Sequence, residues 1–345
     1  MNLLVTGGAG FIGSNFILYM LEKHNDIRII NLDKLTYAGN LENLECCMDD
    51  PRHFFIKGDI CDLSLVEKVF SEYEIDGVIH FAAESHVDNS ITNPRSFVET
   101  NVLGTFTLLE AARNFWMDGV NSYKKEYMNA RFYHISTDEV YGSLGKDGYF
   151  TEDTAYAPNS PYSASKASSD MLVRSYFHTY GMNVVTTNCS NNYGPRQHEE
   201  KLIPTIIRKA LALEPIPIYG NGQNVRDWLY VMDHCRAIEQ VYLEGKAGET
   251  YLIGGHNERT NIEIAQTVCD VLDELIPLGK NECGTTSYKQ LISFVHDRPG
   301  HDFRYAINDS KLQRELGFQI KYGFDRGITG TVHYYLQQRE KLKVQ

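Results

Sequence analysis

The amino-acid sequence predicts an α/β fold in which a doubly wound parallel sheet is joined to a smaller, interleaved α+β region. Over about the first 190 residues, short apolar runs alternate with amphipathic stretches, and this alternation is typical of repeated strand–helix–strand units. The first run, Leu3–Thr6, leads through closely spaced glycines into the first amphipathic stretch, as expected where a parallel strand turns sharply into a helix. After about residue 194 the elements become shorter and turn residues more frequent, which indicates a second, smaller domain.

The predicted elements follow one another in chain order. Strands are expected at Leu3–Thr6, Ile27–Leu32, His53–Lys57, Gly77–Phe81, Phe132–Ser136 and Asn183–Thr187, and helices at Ile12–Lys23, Leu63–Glu72, Val98–Asn114 and Ala164–Tyr180. The C-terminal half contains the short elements Leu202–Leu213, Ile216–Tyr219 and Asp227–Val231, the helical patterns Asp233–Leu243 and Asn261–Leu275, and the strand Thr250–Ile253. We therefore expect one domain at residues 1–195, with 232–258 returning to it, a second at 196–231 and 259–335, and a tail at 336–345.

The charge balance separates this chain from proteins that bind long polyanions. Its 345 residues include 33 Lys and Arg against 45 Asp and Glu, which gives a net charge of −12. Nucleic-acid binding depends on clustered basic side chains that neutralise phosphates, so we expect no nucleic-acid partner. Any anionic ligand must instead be held by a local arrangement of donors.

Three further features concern the cell compartment and metal binding. No apolar run reaches the roughly 18 residues of a membrane-spanning helix, and no basic region precedes the first glycines, so we expect neither a membrane association nor a signal peptide. The seven cysteines are odd in number and contain no C-x-x-C pair, which favours reduced thiols and a cytoplasmic location. The twelve histidines lack the spacing of zinc ligands, so we expect no metal site.

The glycine turn has the spacing of a phosphate-binding site. Gly7, Gly10 and Gly13 fit the pattern G-x-x-G-x-x-G between the first strand and the first helix. Glycine there permits a tight turn and a close approach to a pyrophosphate, and the helix N-terminus offers free N–H groups. Asp33 follows at the end of the second predicted strand. Because a carboxylate there accepts hydrogen bonds from the adenosine ribose and repels a 2′-phosphate, we predict a Rossmann-type domain that binds NAD.

Two more strand ends are expected to contact this dinucleotide. Asp59 and Ile60 follow the third predicted strand, at the height of the adenine. The segment Phe81–Ser85 follows the fourth, and its two alanines are small enough for a cofactor to approach the sheet. Because the carboxyl ends of parallel strands meet at one edge, both segments belong to the same predicted site.

Tyr162 and Lys166 form a Y-x-x-x-K pair on one face of a predicted helix. A free phenol has a pKa of about 10 and is a poor base near neutral pH. A nearby ammonium group, together with the positive nicotinamide ring of NAD, is expected to lower the pKa of the phenol. Tyr162 could then take a proton from a sugar hydroxyl while a hydride leaves the same carbon.

Thr137, Asp138 and Glu139 follow the strand that ends at Ser136. The Thr137 hydroxyl could bond the same substrate oxygen as Tyr162. Adjacent carboxyl groups titrate together, so that one can remain a protonated acid while the other acts as a base. Such a pair is suited to the elimination of water, because one group removes a C–H proton and the other protonates the departing hydroxyl.

These residues resemble those of the dTDP-glucose 4,6-dehydratases, a family of extended short-chain dehydrogenase/reductases, over roughly residues 1–335. Epimerases and decarboxylases of the same superfamily share the glycine turn and the Tyr/Lys pair but resemble this chain less at Asp138 and Glu139. The most specific segments are Ser136–Gly142, Tyr162–Lys166, Asn188–Pro195, Arg226–Val231 and Asp297–His301.

The resemblance implies a three-step reaction on tightly held NAD. Tyr162, helped by Thr137 and Lys166, takes the 4-hydroxyl proton while a hydride passes from sugar C4 to NAD. Glu139 then removes the C5 proton and Asp138 protonates the C6 hydroxyl, which leaves as water. The hydride then returns to C6 and a proton to C5, so that dTDP-glucose becomes dTDP-4-keto-6-deoxyglucose without net redox change.

The resemblance also implies the ligand contacts. For NAD they are Gly7, Gly10, Phe11, Ile12, Gly13, Asp33, Lys34, Leu35, Thr36, Asp59, Ile60, Phe81, Ala82, Ala83, Glu84, Ser85, Thr100, Tyr162, Lys166 and Asn192. For the nucleotide-diphosphate sugar they are Ser85, Thr137, Asn191, Glu200, Lys201, Pro217, Ile218, Tyr219, Arg226, Asn261, Asp297, Arg298, Pro299, Gly300 and His301.

Several alternatives remain open at this point. The segment Gly194–Glu200 is more polar than the version typical of the dTDP-glucose enzymes, so UDP-glucose or another nucleotide sugar is a second possible substrate. A nucleotide-sugar 4-epimerase or decarboxylase would not need Asp138 and Glu139. A non-catalytic NAD-binding regulator would have no use for the five catalytic side chains. The resemblance implies that the segments Val98–Asn114 and Ala164–Tyr180 pair in a homodimer, whereas the residues alone fit equally well two helices that cover the sheet.

Overall fold

The computed structural model describes residues 1–279 and 284–344 of the chain, so Cys283 lies outside the described residues. Its strands in chain order are β1 (Asn2–Thr6), β2 (Arg28–Asp33), β3 (His53–Lys57), β4 (Gly77–His80), β5 (Met117–Gly119), β6 (Ser122–Tyr123), β7 (Arg131–Thr137), β8 (Val184–Cys189), β9 (Asn191–Tyr193), β10 (Ile216–Tyr219), β11 (Val225–Tyr230), β12 (Thr250–Ile253), β13 (Glu258–Thr260) and β14 (Ile292–Val295).

Helices connect most of these strands. A π-helix at Val98–Gly104 forms the first part of the predicted helix Val98–Asn114, and short 3₁₀ helices include Asp138–Tyr141 directly after β7. The α-helices are α1 (Phe11–Lys23), α2 (Leu63–Tyr73), α3 (Val87–Thr92), α4 (Pro94–Phe97), α5 (Thr105–Trp116), α6 (Pro161–Tyr180), α7 (Leu202–Leu211), α8 (Val231–Glu244), α9 (Asn261–Leu275), α10 (Ser310–Leu316) and α11 (Phe324–Val344).

A seven-stranded sheet in the order β12-β8-β7-β4-β1-β2-β3 forms the centre of the fold, and all of its pairings are parallel. The strand order reverses between β1 and β4, where Val5 stands opposite Ile79. Ligands of doubly wound sheets bind at such a reversal, beyond the carboxyl ends of the strands. The predicted α/β, Rossmann-type fold is therefore confirmed.

The central sheet is buried on both faces. Leu3 and Val5 of β1 belong to an apolar cluster that also includes residues of α1 and α8, whereas Leu4 points into a second cluster with residues of α2, α5 and α6. Strands that are covered on both faces consist of nearly continuous apolar residues. This burial explains why the strands appear in the sequence as short apolar runs.

The segment at residues 232–258 contributes two elements to the central sheet and its covering layer. Strand β12 pairs in parallel with β8, with Tyr251 opposite Thr187, and α8 packs on α1. Leu312 of α10 packs in the cluster that contains Leu3 and Val5, whereas helices α7, α9 and α11 form a separate apolar cluster that includes Ile206, Val268 and Ile328. Beside it lie a three-stranded sheet in the order β13-β11-β9 and the parallel pair β10 and β14.

The C-terminal end differs from the predicted tail. Helix α11 continues to Val344, and Leu336 packs against the C-terminal apolar cluster. The charged residues that suggested a tail therefore belong to the end of a helix. Among the described residues, no helix combines the length and the apolar character needed to cross a membrane.

Trp116 provides a test of the packing behind the sheet. Its side chain is fully buried, its ring centroid lies 5.8 Å from that of Phe70, and its Nε1–H donates to the Ile75 carbonyl at 2.7 Å. Truncation of a buried Trp leaves a cavity and typically costs about 3–5 kcal/mol. We expect Trp116→Ala to lower the free energy of unfolding by about this amount in urea denaturation. Val120→Ala, at a side chain that is 62% exposed, is the control and should have little effect.

Candidate active site

One cleft lies at the carboxyl ends of the central strands, at the reversal between β1 and β4. It brings together 19 of the 20 predicted NAD residues, namely Gly7, Gly10, Phe11, Ile12, Gly13, Asp33, Lys34, Thr36, Asp59, Ile60, Phe81, Ala82, Ala83, Glu84, Ser85, Thr100, Tyr162, Lys166 and Asn192. The predicted catalytic residues Thr137, Asp138 and Glu139 and the predicted substrate residues Asn191, Glu200 and Lys201 line the same cleft.

The other predicted substrate residues do not line this cleft. They are Pro217, Ile218, Tyr219, Arg226, Asn261, Asp297, Arg298, Pro299, Gly300 and His301, and they lie on β10, on β11, at the start of α9 and in the segment after β14. Ile218 is 1% exposed and packs in the C-terminal cluster. The predicted substrate contact at Ile218 stays a prediction, and the burial of its side chain leaves the backbone as the part that could take part in it.

In the glycine turn, the backbone at Gly7 lies directly against the backbone at Ala82, and that at Gly13 against Gly7. Gly7 has a φ of +72°, and a Cβ atom there would lie 2.6 Å from the Ala82 amide nitrogen. A Cβ atom on Gly13 would lie 2.4 Å from the Gly7 carbonyl oxygen. Helix α1 begins directly after Gly10, which has no capping side chain. The N–H groups of its first turn therefore remain available to an anion, in line with the predicted phosphate site.

Asp33 lies at the end of β2, where the turn and the loop after β2 both hold its carboxylate. One oxygen accepts from the Ala9 N–H at 2.9 Å and the other from the Leu35 N–H at 2.8 Å. Burial raises the pKa of Asp33, and these two hydrogen bonds oppose that effect. Leu35, the predicted NAD residue outside the cleft lining, has a positive φ of 57° and contributes its backbone N–H to Asp33.

The wall after β4 is fixed by an asparagine that the sequence analysis did not single out. Asn101 accepts from the Glu84 N–H at 2.9 Å and donates to the Glu84 carbonyl at 3.0 Å and to Ser165 Oγ at 2.8 Å. Asn101 is buried, so it connects the cleft wall rigidly to α6. On the opposite side, Lys34 and Asp59 form an ion pair at 2.6 Å.

Helix α6 carries Tyr162 and Lys166 to the cleft. Ser160 caps the helix by accepting from the Ser163 N–H at 3.0 Å, and Pro161 occupies its first turn, as is typical of helix starts. The Lys166 ammonium donates to the Ile135 carbonyl at 2.8 Å. Burial lowers the pKa of Lys166 to about 8, although Asp170 and Cys189 oppose this shift.

In the protein alone the pKa of Tyr162 is shifted upward, and the expected lowering, which included the charge of bound NAD, stays a prediction. Burial raises this pKa well above its ordinary value, and the negative charge of Glu139 raises it further. The Thr137 hydroxyl acts in the opposite direction through a hydrogen bond to the phenol. Desolvation thus dominates at Tyr162, which is 8% exposed, because a buried phenolate loses its hydration.

Asp138 and Glu139 are adjacent in sequence but differ in environment. Asp138 is 1% exposed, and its Oδ2 has no hydrogen-bond partner. Burial and the charges of Glu139 and Asp227 raise the pKa of Asp138 well above its usual range. Burial also raises the pKa of Glu139, but there the positive charges of Arg298, Arg226 and Lys201 oppose the shift. The two carboxyl groups therefore differ in the way that an acid/base pair requires.

Backbone carbonyl groups and an aromatic ring surround the Arg226 guanidinium, whose predicted contact with the substrate stays a prediction. Its guanidinium donates to the carbonyl oxygens of Val225 at 2.7 Å and Asp302 at 2.9 Å, and lies 4.1 Å from the centroid of the Tyr305 ring. The adjacent Asp227 does not pair with Arg226 but accepts from the N–H groups of Gly255 and Asn257, both at 2.7 Å. Backbone carbonyls therefore hold Arg226, while its charge still acts on Glu139.

The segment after β14 faces the central domain through ion pairs. Arg298 Nη1 lies 3.1 Å from Asp88 Oδ1, and Tyr219 donates to Asp88 Oδ2 at 3.3 Å. His301 Nδ1 lies 2.6 Å from Asp297 Oδ1. Asp88 on α3 thus joins two predicted substrate residues, although no sequence pattern singled it out.

The cleft also contains residues that the sequence analysis missed. Four of the ten, Leu32, Gly58, Ser136 and Ser190, are direct chain neighbours of predicted ones, so the position beside a predicted residue was the signal that could have found these four. Within the described ranges, no group of three or more His, Cys, Asp and Glu side chains could hold a metal ion. The missed residues are Leu32, Ala38, Gly39, Gly58, Ile135, Ser136, Cys189, Ser190, Gln197 and His198.

Comparison with solved structures places this architecture among nucleotide-sugar enzymes. A dTDP-glucose 4,6-dehydratase from Streptomyces venezuelae, solved with NAD bound, superimposes with a TM-score of 0.87 at 44% identity, covering 99% of this chain and 98% of that chain. A UDP-glucose 4-epimerase from Thermotoga maritima superimposes with a TM-score of 0.84, but at 27% identity, covering 98% of this chain and 100% of that chain. The fold is thus common to both classes, whereas the sequence is closer to the dehydratase.

Sequence comparison agrees with this ordering. The family model described as GDP-mannose 4,6 dehydratase matches residues 4–331. A dTDP-glucose 4,6-dehydratase from Xanthomonas campestris pv. campestris (strain B100) is 55% identical over 333 residues, which cover 96% of this chain and 92% of that protein. With the resemblance in the motifs confirmed over nearly the whole length, the chain belongs to the dTDP-glucose 4,6-dehydratase family.

Proposed function

We propose that this protein catalyses the NAD-dependent dehydration of dTDP-glucose to dTDP-4-keto-6-deoxyglucose. The observation that carries the proposal is the position of Asp138 and Glu139 in the same cleft as Tyr162 and Lys166. Residues 1–195 and 232–258 would then form the NAD-binding domain, and residues 196–231 and 259–335 the nucleotide-sugar domain.

The residues of the cleft fit NAD. The first turn of α1 offers N–H groups to the pyrophosphate, and Gly10 leaves the approach free of a side chain. Each Asp33 oxygen accepts one backbone N–H and keeps a second lone pair for a ribose hydroxyl. When bound, NAD supplies a reversible hydride acceptor and, in its oxidised form, a positive charge near Tyr162.

Oxidation at C4 requires Tyr162 to accept the proton of the 4-hydroxyl. In the protein alone the raised pKa keeps the phenol protonated, so positive charge must be brought to it before it can act as a base. The hydrogen bond from Thr137 acts in this direction, and we propose that the Lys166 ammonium, on the same face of α6, does so as well. A phenolate so stabilised is strong enough to take the proton from a sugar hydroxyl.

Elimination assigns different tasks to the two carboxyl groups. The C5 proton becomes acidic once C4 is a ketone, and Glu139, which is partly exposed and surrounded by cationic side chains, is suited to remove it. Asp138 is buried and holds a proton to higher pH, so it is suited to protonate the departing C6 hydroxyl. Environments that separate two pKa values in this way commonly mark acid and base.

The diphosphate of the sugar nucleotide would be bound where positive charge faces the cleft. Lys201 lines the cleft and donates to the Ser85 carbonyl at 3.3 Å. Arg298 and His301 lie in the segment that faces α3 through Asp88. Arg226 contributes mainly through its charge, because several of its donors bond backbone carbonyls.

The reaction and the nucleotide can be tested in one assay. The purified protein, supplied with NAD, is incubated with dTDP-glucose, UDP-glucose and other nucleotide sugars, and the products are weighed by mass spectrometry. We expect dTDP-glucose to give a product lighter by one water. An isomer of unchanged mass would show a 4-epimerase instead, a preference for UDP-glucose would revise the substrate, and NAD binding without turnover would indicate a regulator.

Tyr162→Phe tests the base. Removal of the phenolic hydroxyl takes away the group that accepts the 4-hydroxyl proton, and general-base catalysis contributes roughly 10²- to 10⁴-fold. We expect kcat to fall by at least about 10²-fold while NAD binding, measured by calorimetry, is retained. Tyr149→Phe, at a tyrosine that is 56% exposed, is the matched control. Full activity of Tyr162→Phe would exclude Tyr162 as the base.

Glu139→Gln tests the elimination step. The amide cannot accept the C5 proton, so exchange of this hydrogen with solvent should stop. With substrate in D2O, we expect deuterium incorporation at C5 and release of water to fall together by about 10²-fold or more. Glu99→Gln changes a surface glutamate that is paired with Arg95 and should leave both unchanged. Undiminished exchange in Glu139→Gln would assign the base to another group.

We also infer that the protein forms a homodimer through the face made by the π-helix, α5 and α6. Leu103 and Phe106 are 48% and 42% exposed, and Met171 on α6 is 59% exposed. Large apolar side chains at this exposure favour burial against a partner. We expect light scattering after size-exclusion chromatography to show a dimer, and Leu103→Glu to shift it toward a monomer. Val120→Glu is the control, and a monomeric parent protein would contradict the inference.

A further inference from the structure

Asp170 lies in the interior behind the cleft, on α6 and one turn beyond Lys166. Its side chain is 4% exposed. It does not line the cleft, and the function proposed above gives it no task. A buried carboxylate is expensive unless something compensates its charge, so its presence beside the Tyr/Lys pair requires a physical explanation.

Four groups surround the Asp170 carboxylate, and three of them are hydrogen-bond donors to Oδ2. These are the Ser136 hydroxyl at 2.8 Å, the Tyr156 phenol at 2.9 Å and the Asn188 amide at 3.1 Å. His134 Nε2 lies 3.1 Å from Oδ1. A carboxylate only accepts hydrogen bonds, whereas a carboxylic acid must donate one. The three donors that meet at Oδ2 match the acceptor role of a carboxylate oxygen.

The Lys166 ammonium is the positive charge of the proposed site that lies on the same helix as Asp170. The Lys166 side chain is 4% exposed and donates to the Ile135 carbonyl, so it does not bond Asp170 directly. The two groups interact through a medium that excludes water, where opposite charges attract much more strongly than in solvent. Among the charges that favour the protonated form of Lys166, Asp170 has the largest effect.

The other titratable groups around this pair are mainly uncharged near neutral pH. Burial lowers the pKa of His134 to about 4 and that of His80 well below its usual value, and it raises the pKa of Cys189 to about 12. Burial raises the pKa values of Tyr141 and Tyr156, which also face the pair. The other titratable groups nearby are Glu152, Asp138, Glu139 and Tyr162. Asp170 is thus the buried anion best placed to balance Lys166.

We propose that Asp170 is a positioning residue that acts through Lys166, because its buried negative charge keeps the Lys166 ammonium protonated in the interior. This inference rests on the proposed function in so far as Lys166 must be charged to assist Tyr162 and to hold the nicotinamide ribose. Asp170 itself touches neither substrate nor cofactor. Its contribution should therefore appear in the pH dependence of the reaction.

The first test measures the charge of Lys166 without any turnover. Lysine labelled with ¹³C at Cε is incorporated, the Lys166 signal is assigned by its loss in Lys166→Arg, and its chemical shift is followed with pH. We expect a midpoint near pH 8 in the parent protein. In Asp170→Asn, which keeps the shape and removes the charge, we expect the midpoint to fall by about 1–3 pH units.

The matched control is Tyr156→Phe. It removes one hydrogen bond to the same Asp170 oxygen but leaves the negative charge in place, so the midpoint of Lys166 should stay within a few tenths of a unit of the parent value. Thermal unfolding of each variant reports whether the fold is retained. If Asp170→Asn does not fold, Asp170→Ser offers a second neutral side chain. An unchanged midpoint in a folded, neutral variant, or an equal shift in Tyr156→Phe, would overturn the proposal.

The second test follows kcat with pH. A group with a raised pKa keeps its proton to higher pH, so removal of Asp170 should move the basic limb of the profile to lower pH. With a shift of about one unit, kcat on that limb should fall on the order of tenfold, with little change in KM. Tyr156→Phe should retain the parent profile. An inactive parent protein with the expected NMR shift would refute the dehydratase function while supporting the electrostatic role of Asp170.

Discussion

A Cβ atom at Gly7 would lie 2.6 Å from the Ala82 amide nitrogen, so strands β1 and β4 can approach at their carboxyl ends only because this position carries no side chain. The approach sets the width of the crevice at the reversal of strand order and orients the start of α1 toward it. The Ala9 N–H of the same turn donates to the Asp33 carboxylate, so the position of this side chain depends on the turn as well. The predicted contacts of the glycine turn and of the segment after β4 with a dinucleotide depend on this approach.

Electrostatics in the cleft is governed by burial more than by the net charge of −12. Asp138, Glu139 and Tyr162 all have raised pKa values, for which loss of water is the largest cause. What distinguishes them is the second contribution: negative charge near Asp138 and Tyr162, and positive charge near Glu139. The positive charges of Arg298, Arg226 and Lys201 are concentrated near Glu139. A protein with a surplus of carboxylates can therefore still present positive charge to an anion at this one place.

The sequence predicted those parts of the site that depend on local geometry. The glycine turn, the Y-x-x-x-K pair and the residues after strand ends follow from strand–helix periodicity, since position along the chain determines which edge of the sheet they reach. The pKa values and hydrogen-bond partners that depend on several elements distant in the chain could not be predicted from the sequence. The raised pKa of Tyr162 reflects burial by the assembled site, and the carbonyls that hold Arg226 come from its own strand and from the segment near Asp302. The helical structure of the charged C-terminal stretch was also missed, because it depends on the preceding residues of α11, which pack on the C-terminal cluster.

Strands β8 and β9 are separated by the single residue Ser190, although they belong to different sheets. Cys189 and Asn191, on either side of it, both line the cleft. One residue between two strands leaves little slack in the chain, so the place of the sheet formed by β9, β11 and β13 directly fixes where Cys189 and Asn191 stand in the cleft. A change in the packing of the smaller sheet would therefore alter the cleft itself, even without any change in the central sheet.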